Sequence, residues 1–209
     1  MAVTEYEGEP VPGLPGRLPA GERILWQGAP DWKRLAVSAY HVRKVALYFA
    51  VLLAFALVSG SAFGVGMTVA AGLAACGLLL LFAWLMARST LYTITSRRVV
   101  IRFGVAVPMC VNLPLVAIET ARLNAARDGS GDIALAPVPA ERVGYFLLWP
   151  HVRPWRFARP EPMLRALADA RGPAEILARA MAEALPQGRR LPFDRPTADA
   201  RPLPTGVPA

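Results

Sequence analysis

The chain has 209 residues, of which 55% are hydrophobic and only 18% charged, with 23 Lys and Arg against 15 Asp and Glu for a net charge of +8. That apolar content is higher than one soluble domain of this size usually shows, so the excess has to be local. Two cysteines without a CxxC pair exclude a disulfide framework; Cys76 in an apolar run and Cys110 in a strand-like stretch suit a reducing compartment.

Residues 1–19 are rich in Pro and Gly ("GEPVPGLPGRLP") with few apolar anchors, and are expected to be a disordered leader. Order is expected from residue 20. In 20–44, Ile24, Leu25 and Trp26 between Gly21 and Gly28 read as a strand that packs on the later domain. Asp31 is placed to cap a helix in which Trp32, Leu35, Ala36, Ala39 and Tyr40 recur at helical spacing, a pattern suited to the membrane interface or to an ordinary helix start. From Val45 to Ala87 there is no Asp, Glu, Lys or Arg over 43 residues, against about 20 needed for one helix to cross about 30 Å of hydrocarbon. Two spans fit, from Val45 to about Val58 and from about Met67 to Ala87, with the break in "SGSAFGVG". A signal peptide is excluded because the stretch starts too late and is too long. Lys33, Arg34, Arg43 and Lys44 precede this hairpin, Arg88, Arg97, Arg98 and Arg102 follow it, and its tip is uncharged. Both termini are therefore expected in the cytoplasm, with Trp32, Tyr40, Arg43, Lys44 and Arg88 at the interface and anionic lipids attracting the basic domain.

Residues 88–185 read as a cytoplasmic domain. "LYTITSRRVVIRFG" alternates and gives two strands around Ser96 and Arg97. Strands continue through Val105–Ile118, which Pro108, Pro114 and Asn112 disqualify as a third span. "DGSGDIALAP" supplies a turn at Asp128–Asp132 and a strand, and "GYFLLWP" (Gly144–Pro150) reads as another. "GPAEILARAMAEALP" is an amphipathic helix with Ile176, Leu177, Ala180, Met181 and Leu185 on one stripe. A strand-rich body closed by one such helix is the layout of a pleckstrin-homology-like (PH-like) barrel. The Pro-rich residues 186–209 are expected to be a flexible tail.

Catalytic patterns are missing: there is no GxSxG elbow, P-loop or GxGxxG after a strand, and His41 and His151 have no metal-ligand spacing. No recognition helix or zinc knuckle points to nucleic acid. "LWPHVRPWRFARPEPMLRAL" is the stretch with interaction chemistry, since Pro150, Pro154, Pro160 and Pro162 hold it extended while Trp149, Trp155 and Phe157 alternate with Arg153, Arg156 and Arg159. Its aromatics serve either a contact surface or the barrel core. Trp149 is assigned to the core, and Arg153 and Arg156 to the surface. His41 at the membrane surface is a candidate ligand for the magnesium of a chlorin, against the commoner reading of an interfacial side chain.

"GERILWQGAP" and "LYTITSRRVVIRFG" resemble the paired signatures of bacterial PH-like membrane proteins, and "AYHVRKVALYFA", "DGSGDIAL" and "LLWPHVRPWRFARPEPMLRAL" resemble the PuhB family of photosynthetic complex assembly proteins of purple bacteria. The similarity covers roughly residues 18 to 185; one departure is that members are often described with three spans, where two are read here. The resemblance implies an α+β membrane protein of the bacterial inner (intracytoplasmic photosynthetic) membrane, without enzymatic activity and with no resident cofactor. It implies a role in assembling the reaction centre and its core antenna, whose subunits would be the partners, and it leaves self-association open. The client-binding residues expected on physical grounds are Arg153, Trp155, Arg156 and Arg159 on the domain, and Gly72 and Ala75 in the second span, where small residues permit close helix approach. The competing class is a lipid-headgroup-binding protein with a generic envelope role.

Overall fold

The computed structural model describes residues 13–14, 16–138 and 144–184. Seven strands form two antiparallel sheets: β1 (Ile24–Gly28), β2 (Leu91–Thr95), β3 (Arg98–Phe103) and β4 (Met109–Pro114) in one, and β5 (Ile118–Ala125), β6 (Gly131–Pro137) and β7 (Met163–Leu167) in the other. No strand pairing among the described residues joins the sheets, so the barrel of the sequence reading is a two-sheet structure. Pro114 has no N–H to extend the ladder, and a 3-10 turn at Leu115–Ala117 carries the chain from one sheet to the other. Gly104, at φ +125°, makes the β3–β4 turn, where a Cβ would meet the Val107 carbonyl oxygen at 2.1 Å.

Between the neighbouring strands β1 and β2 the chain leaves the sheet and returns through three helices: α1 (Trp32–Ser38), α2 (Val42–Val58) and α3 (Ala62–Ser89). This helical excursion is thereby held at both ends by one ladder, with Trp26 opposite Ile94 and Gly28 opposite Tyr92. A second clamp lies beneath it. The buried Glu22 carboxylate takes two hydrogen bonds from Arg98, at 2.8 and 3.1 Å, and one from the Thr95 hydroxyl at 2.7 Å. This clamp is what joins the "GER" and "YTIT" signatures physically.

Asp31 caps α1 by accepting from the Arg34 N–H at 2.9 Å, and its own N–H donates to the Ala166 carbonyl at 2.8 Å. Leu35 is buried with Ala87 and Ala166, and Ala36 is buried beside it, so one face of α1 is packed on the domain. Arg34 ties it to the β5–β6 turn through Asp128, at 2.6 Å, and Ser130. Hydrogen bonds from Ser130 and then from Arg34 hold the Asp128 carboxyl down at about 2. An open cleft of about 230 Å³ beside this seam is lined by Arg34, Ser38, Ser130, Asp132 and Ala166 among others.

His41, at φ +53°, interrupts the helix and sets a 59° bend between α1 and α2. The 28-residue α3 is long and apolar enough to cross a membrane; α2, at 17 residues, reaches such a length only together with the bent α1. The second apolar helix starts five residues earlier than expected, because Ser61 caps it by accepting from the Gly64 N–H at 3.0 Å, so Gly64 and Gly66 lie inside the helix. α2 and α3 pack side by side. A Cβ on Gly72 would meet Phe49 at 3.1 Å, whereas one on Gly77 would meet nothing. Gly72→Leu is therefore expected to pry α2 from α3 at a cost of about 1–3 kcal/mol, with Gly77→Leu benign; resistance of the two variants to unfolding by SDS checks this.

Short helix α4 (Tyr145–Leu148) and the longer α5 (Arg171–Ala184) complete the fold. Leu177, Ala180 and Met181 of α5 close over a core of Tyr92, Ile94, Ile101, Leu115, Ile133 and Leu164 drawn from both sheets and the 3-10 turn between them. Two further expectations are corrected. Gly144–Pro150 is not a strand: Phe146 and Leu147 face outward, only Leu148 is buried among α4's residues, and β6 already has a neighbour on each side. Within the leader Leu14 is wholly buried, so one apolar anchor packs where disorder was expected. Residues 1–12 of that leader and the 186–209 tail lie outside the described residues.

Candidate interaction surface

The Trp, Pro and Arg segment is a pinned loop. Val152 bridges Pro162, the Arg153 N–H donates to the Glu161 carbonyl at 2.9 Å, and the Met163 N–H donates to the His151 carbonyl at 2.9 Å. The neck residues His151, Val152 and Met163 are buried, while residues 154–159 are thrown outward. Trp155, at φ +63°, is 85% exposed and Phe157 is 55% exposed, so these rings are not core. Trp149 is 45% exposed as well, which overturns its assignment to the core; its ring instead meets Tyr40 edge-on at 5.2 Å. The exposed rings touch in sequence: Phe157 stands 4.4 Å from Tyr145 and 6.3 Å from Trp155, and Tyr145 5.6 Å from Phe146.

The charge on this surface is unbalanced. Buried Glu161 faces Arg153 at 2.8 Å, Arg122 at 3.5 Å and Arg156 at 3.9 Å. One carboxylate against three guanidiniums leaves an excess of two positive charges, to which exposed Arg159 adds another. Arg122 had no sequence signal, because its partner lies in the loop before β7, far along the chain.

Below the loop, a buried polar chain joins its neck to the helices. The Thr90 hydroxyl donates to the Met86 carbonyl at 2.7 Å, capping the end of α3, so its oxygen accepts from His151 Nε2–H at 3.1 Å. His151 Nδ1 is then bare and accepts from the Tyr92 hydroxyl at 2.8 Å, while the Tyr92 oxygen accepts from the Arg165 N–H at 3.1 Å. Burial, with the Arg165 charge beside it, holds the His151 imidazole down at about 3. The Arg165 side chain, also buried, donates to the Pro150 carbonyl at 3.0 Å and to the Ser38 carbonyl at 2.6 Å. The loop neck, the end of α1 and the end of α3 are thus bonded together.

The residues expected at the membrane interface lie near one end of α2 and α3. Arg43 and Lys44 are exposed on the first turn of α2, and Arg88 on the last turn of α3 lies over Trp84 at 4.8 Å. Trp32 is exposed with Lys33 over its ring, and Tyr40 is half-buried under Trp149. His41 is exposed at the bend, a backbone role that stands beside its reading as a chlorin ligand. Gly72 and Ala75 are both partly covered, Gly72 by Phe49 of α2, so the close approach that Gly72 permits is used within the chain. Among the described residues no three His, Cys, Asp or Glu groups gather as a metal site, and both cysteines are free thiols.

The sequence matches the Bacterial PH domain family over residues 40–180. It is 37% identical over 190 residues, 86% of this chain and 89% of the relative, to an uncharacterized 23.7 kDa protein in the puhA 5′ region of Rhodobacter capsulatus. No solved structure matches. With the family matched over more than half of the chain, and with its signatures joined in the structure by the Glu22–Arg98 clamp and the β1–β2 ladder, the protein belongs to the bacterial PH domain family and, within it, to the PuhB family.

Proposed function

We propose that this protein is a non-enzymatic membrane assembly factor for the bacterial photosynthetic reaction centre and its core light-harvesting antenna. The observation that carries the reading is the 37% identity, along nearly the whole chain, to a relative named for its place beside puhA. The membrane arrangement follows from charge. Arg43, Lys44 and Arg88 gather at one end of α2 and α3, and the Ser59–Ser61 connection at the other end is uncharged. Both helices cross the inner membrane, with the domain and both termini in the cytoplasm. A span of α2 alone would be about 25 Å long, short for hydrocarbon of about 30 Å; the bend at His41 lets α1 stay on the domain while α2 enters the lipid.

Client helices pack on the outward faces of the pair, where Leu47, Val51, Phe55 and Leu73 are exposed. Gly72 contributes indirectly, by letting Phe49 of α2 approach α3. A second copy could use the same faces. The competing reading, a headgroup-binding protein with a generic envelope role, draws on the exposed Arg and aromatic loop. Near-infrared absorption of membranes from a strain lacking the protein separates the two. We expect selective loss of reaction-centre and core-antenna bands with pigment synthesis intact, restored by complementation. A normal spectrum under several growth conditions would refute the assembly role and leave the lipid reading.

A further inference from the structure

We infer that the segment from Tyr145 to Arg159 is a lipid-docking foot, which lays its aromatic rings into the anionic leaflet from which α2 and α3 emerge and so fixes the domain flat against the membrane. The inference rests on α3 being a membrane span, and adds a second, peripheral attachment to it. Its first support is position. Trp149 packs on Tyr40, one residue before the bend into α2, and Arg165 bonds Pro150 to the Ser38 carbonyl, while His151 bonds to Thr90 at the exit from α3. The root of the foot therefore sits at the level where both helices meet the domain.

Its second support is the kind of surface. A run of contacting rings is left in the open, with Phe146 and Trp155 each 85% exposed. Trp and Tyr rings are at home at headgroup depth, where an apolar body and a polar edge are both satisfied. The third support is charge. Arg153, Arg156 and Arg122 share the carboxylate of Glu161, so among the described residues the rim of the ring cluster carries an excess of positive charge. An anionic headgroup layer supplies both the apolar depth and the negative charge. An acidic protein segment would meet the charge but would also have to cover the exposed rings of Phe146, Trp155 and Phe157.

The test uses the full chain reconstituted in nanodiscs of phosphatidylcholine, with or without about 30% phosphatidylglycerol, and with lipids brominated in the acyl chains to quench tryptophan. Differences from Trp155→Phe and Trp84→Phe isolate the emission of the loop and of α3. We expect both to be quenched, Trp155 more strongly when phosphatidylglycerol is present. Arg156→Gln with Arg159→Gln should lower the docking equilibrium about 30-fold, as two arginines at about 1 kcal/mol each would. Quenching of Trp84 without Trp155 would overturn the foot and assign the loop to a protein partner. Absence of quenching at both would instead overturn the membrane span itself.

Discussion

Lowering the pH from 7.5 to 5 is expected to cost the folded protein about 2 kcal/mol through His151 alone. The imidazole is held at about 3 in the folded state by burial and by the neighbouring Arg165 charge, against 6.5 for an ordinary histidine. As pH falls below about 6.5 the unfolded chain takes up a proton that the folded chain refuses, so stability falls with pH, at up to about 1.4 kcal/mol per unit. The sign is that of a depressed base: the penalty is absent above 6.5 and grows until the folded histidine itself protonates near 3. Glu22 does not confuse this window. Burial pushes its carboxyl up, but the hydrogen bonds from Arg98 and Thr95 outweigh that and leave it below its usual 4.5, so its contribution is lost only at lower pH. His151→Gln retains a donor and an acceptor but has nothing to titrate. Denaturant unfolding of the full chain in non-ionic micelles at the two pH values should show the loss in the native protein and a nearly flat response in the variant. Equal pH dependence in both would mean that the Tyr92–His151–Thr90 chain is open to water.

Where local pattern and tertiary environment agree, the architecture was legible. The alternation in "LYTIT" and "RRVVIRF" is the β2–β3 hairpin, with Thr95 accepting from the Arg97 and Arg98 N–H groups at the turn. The stripe of Leu177, Ala180 and Met181 is the buried face of α5, and Asp31 caps α1 as its position suggested. The 43 uncharged residues contain α3, which has the length and apolarity of a span. The failures share a cause, which is that the deciding partner is remote in sequence. "GYFLLWP" has a strand's composition, but it pairs with neither sheet and winds into α4 instead. Gly72 could not be known to face Phe49 until α2 and α3 were paired.

The candidate surface shows the same division. Arg and aromatic composition singled out Arg153, Trp155, Arg156 and Arg159, and the structure exposes the rings that a core would have hidden. The shared carboxylate Glu161 and the third arginine, Arg122, could not be paired by spacing. His151 looked idle in sequence because its partners Thr90 and Tyr92 lie about 60 positions away, across the domain. In "MLRAL", alternation alone would turn Arg165 to one side of a strand. All five residues are buried, since Ala166 at φ +56° and a register shift opposite Gly131 and Ile133 bend β7 there.

That bend is what makes Arg165 the residue whose loss should cost most. Arg165→Leu is expected to destabilise the protein by about 3 kcal/mol. A buried charge is costly, and burial does push the Arg165 guanidinium toward deprotonation, with Asp132 opposing. A leucine, shorter and apolar, would remove that cost, so the sign depends on what the arginine leaves behind. It leaves the Pro150 and Ser38 carbonyls without their donors, and each charge-assisted bond to a carbonyl is worth about 1.5–3 kcal/mol. The two losses together exceed the relief. Arg165→Lys keeps the charge but offers a point donor where a fork spans two carbonyls on different segments, so it should recover less than half of the difference. The effect also has a local signature that a general loss of packing would lack. Releasing Pro150 from Ser38 frees Trp149 from Tyr40, so the Trp149 contribution to fluorescence, isolated with Trp149→Phe, should shift under conditions where the rest of the domain remains folded. Unfolding midpoints equal to those of the native chain, with Trp149 unmoved, would show that the helices and the loop are held together by their apolar contacts instead.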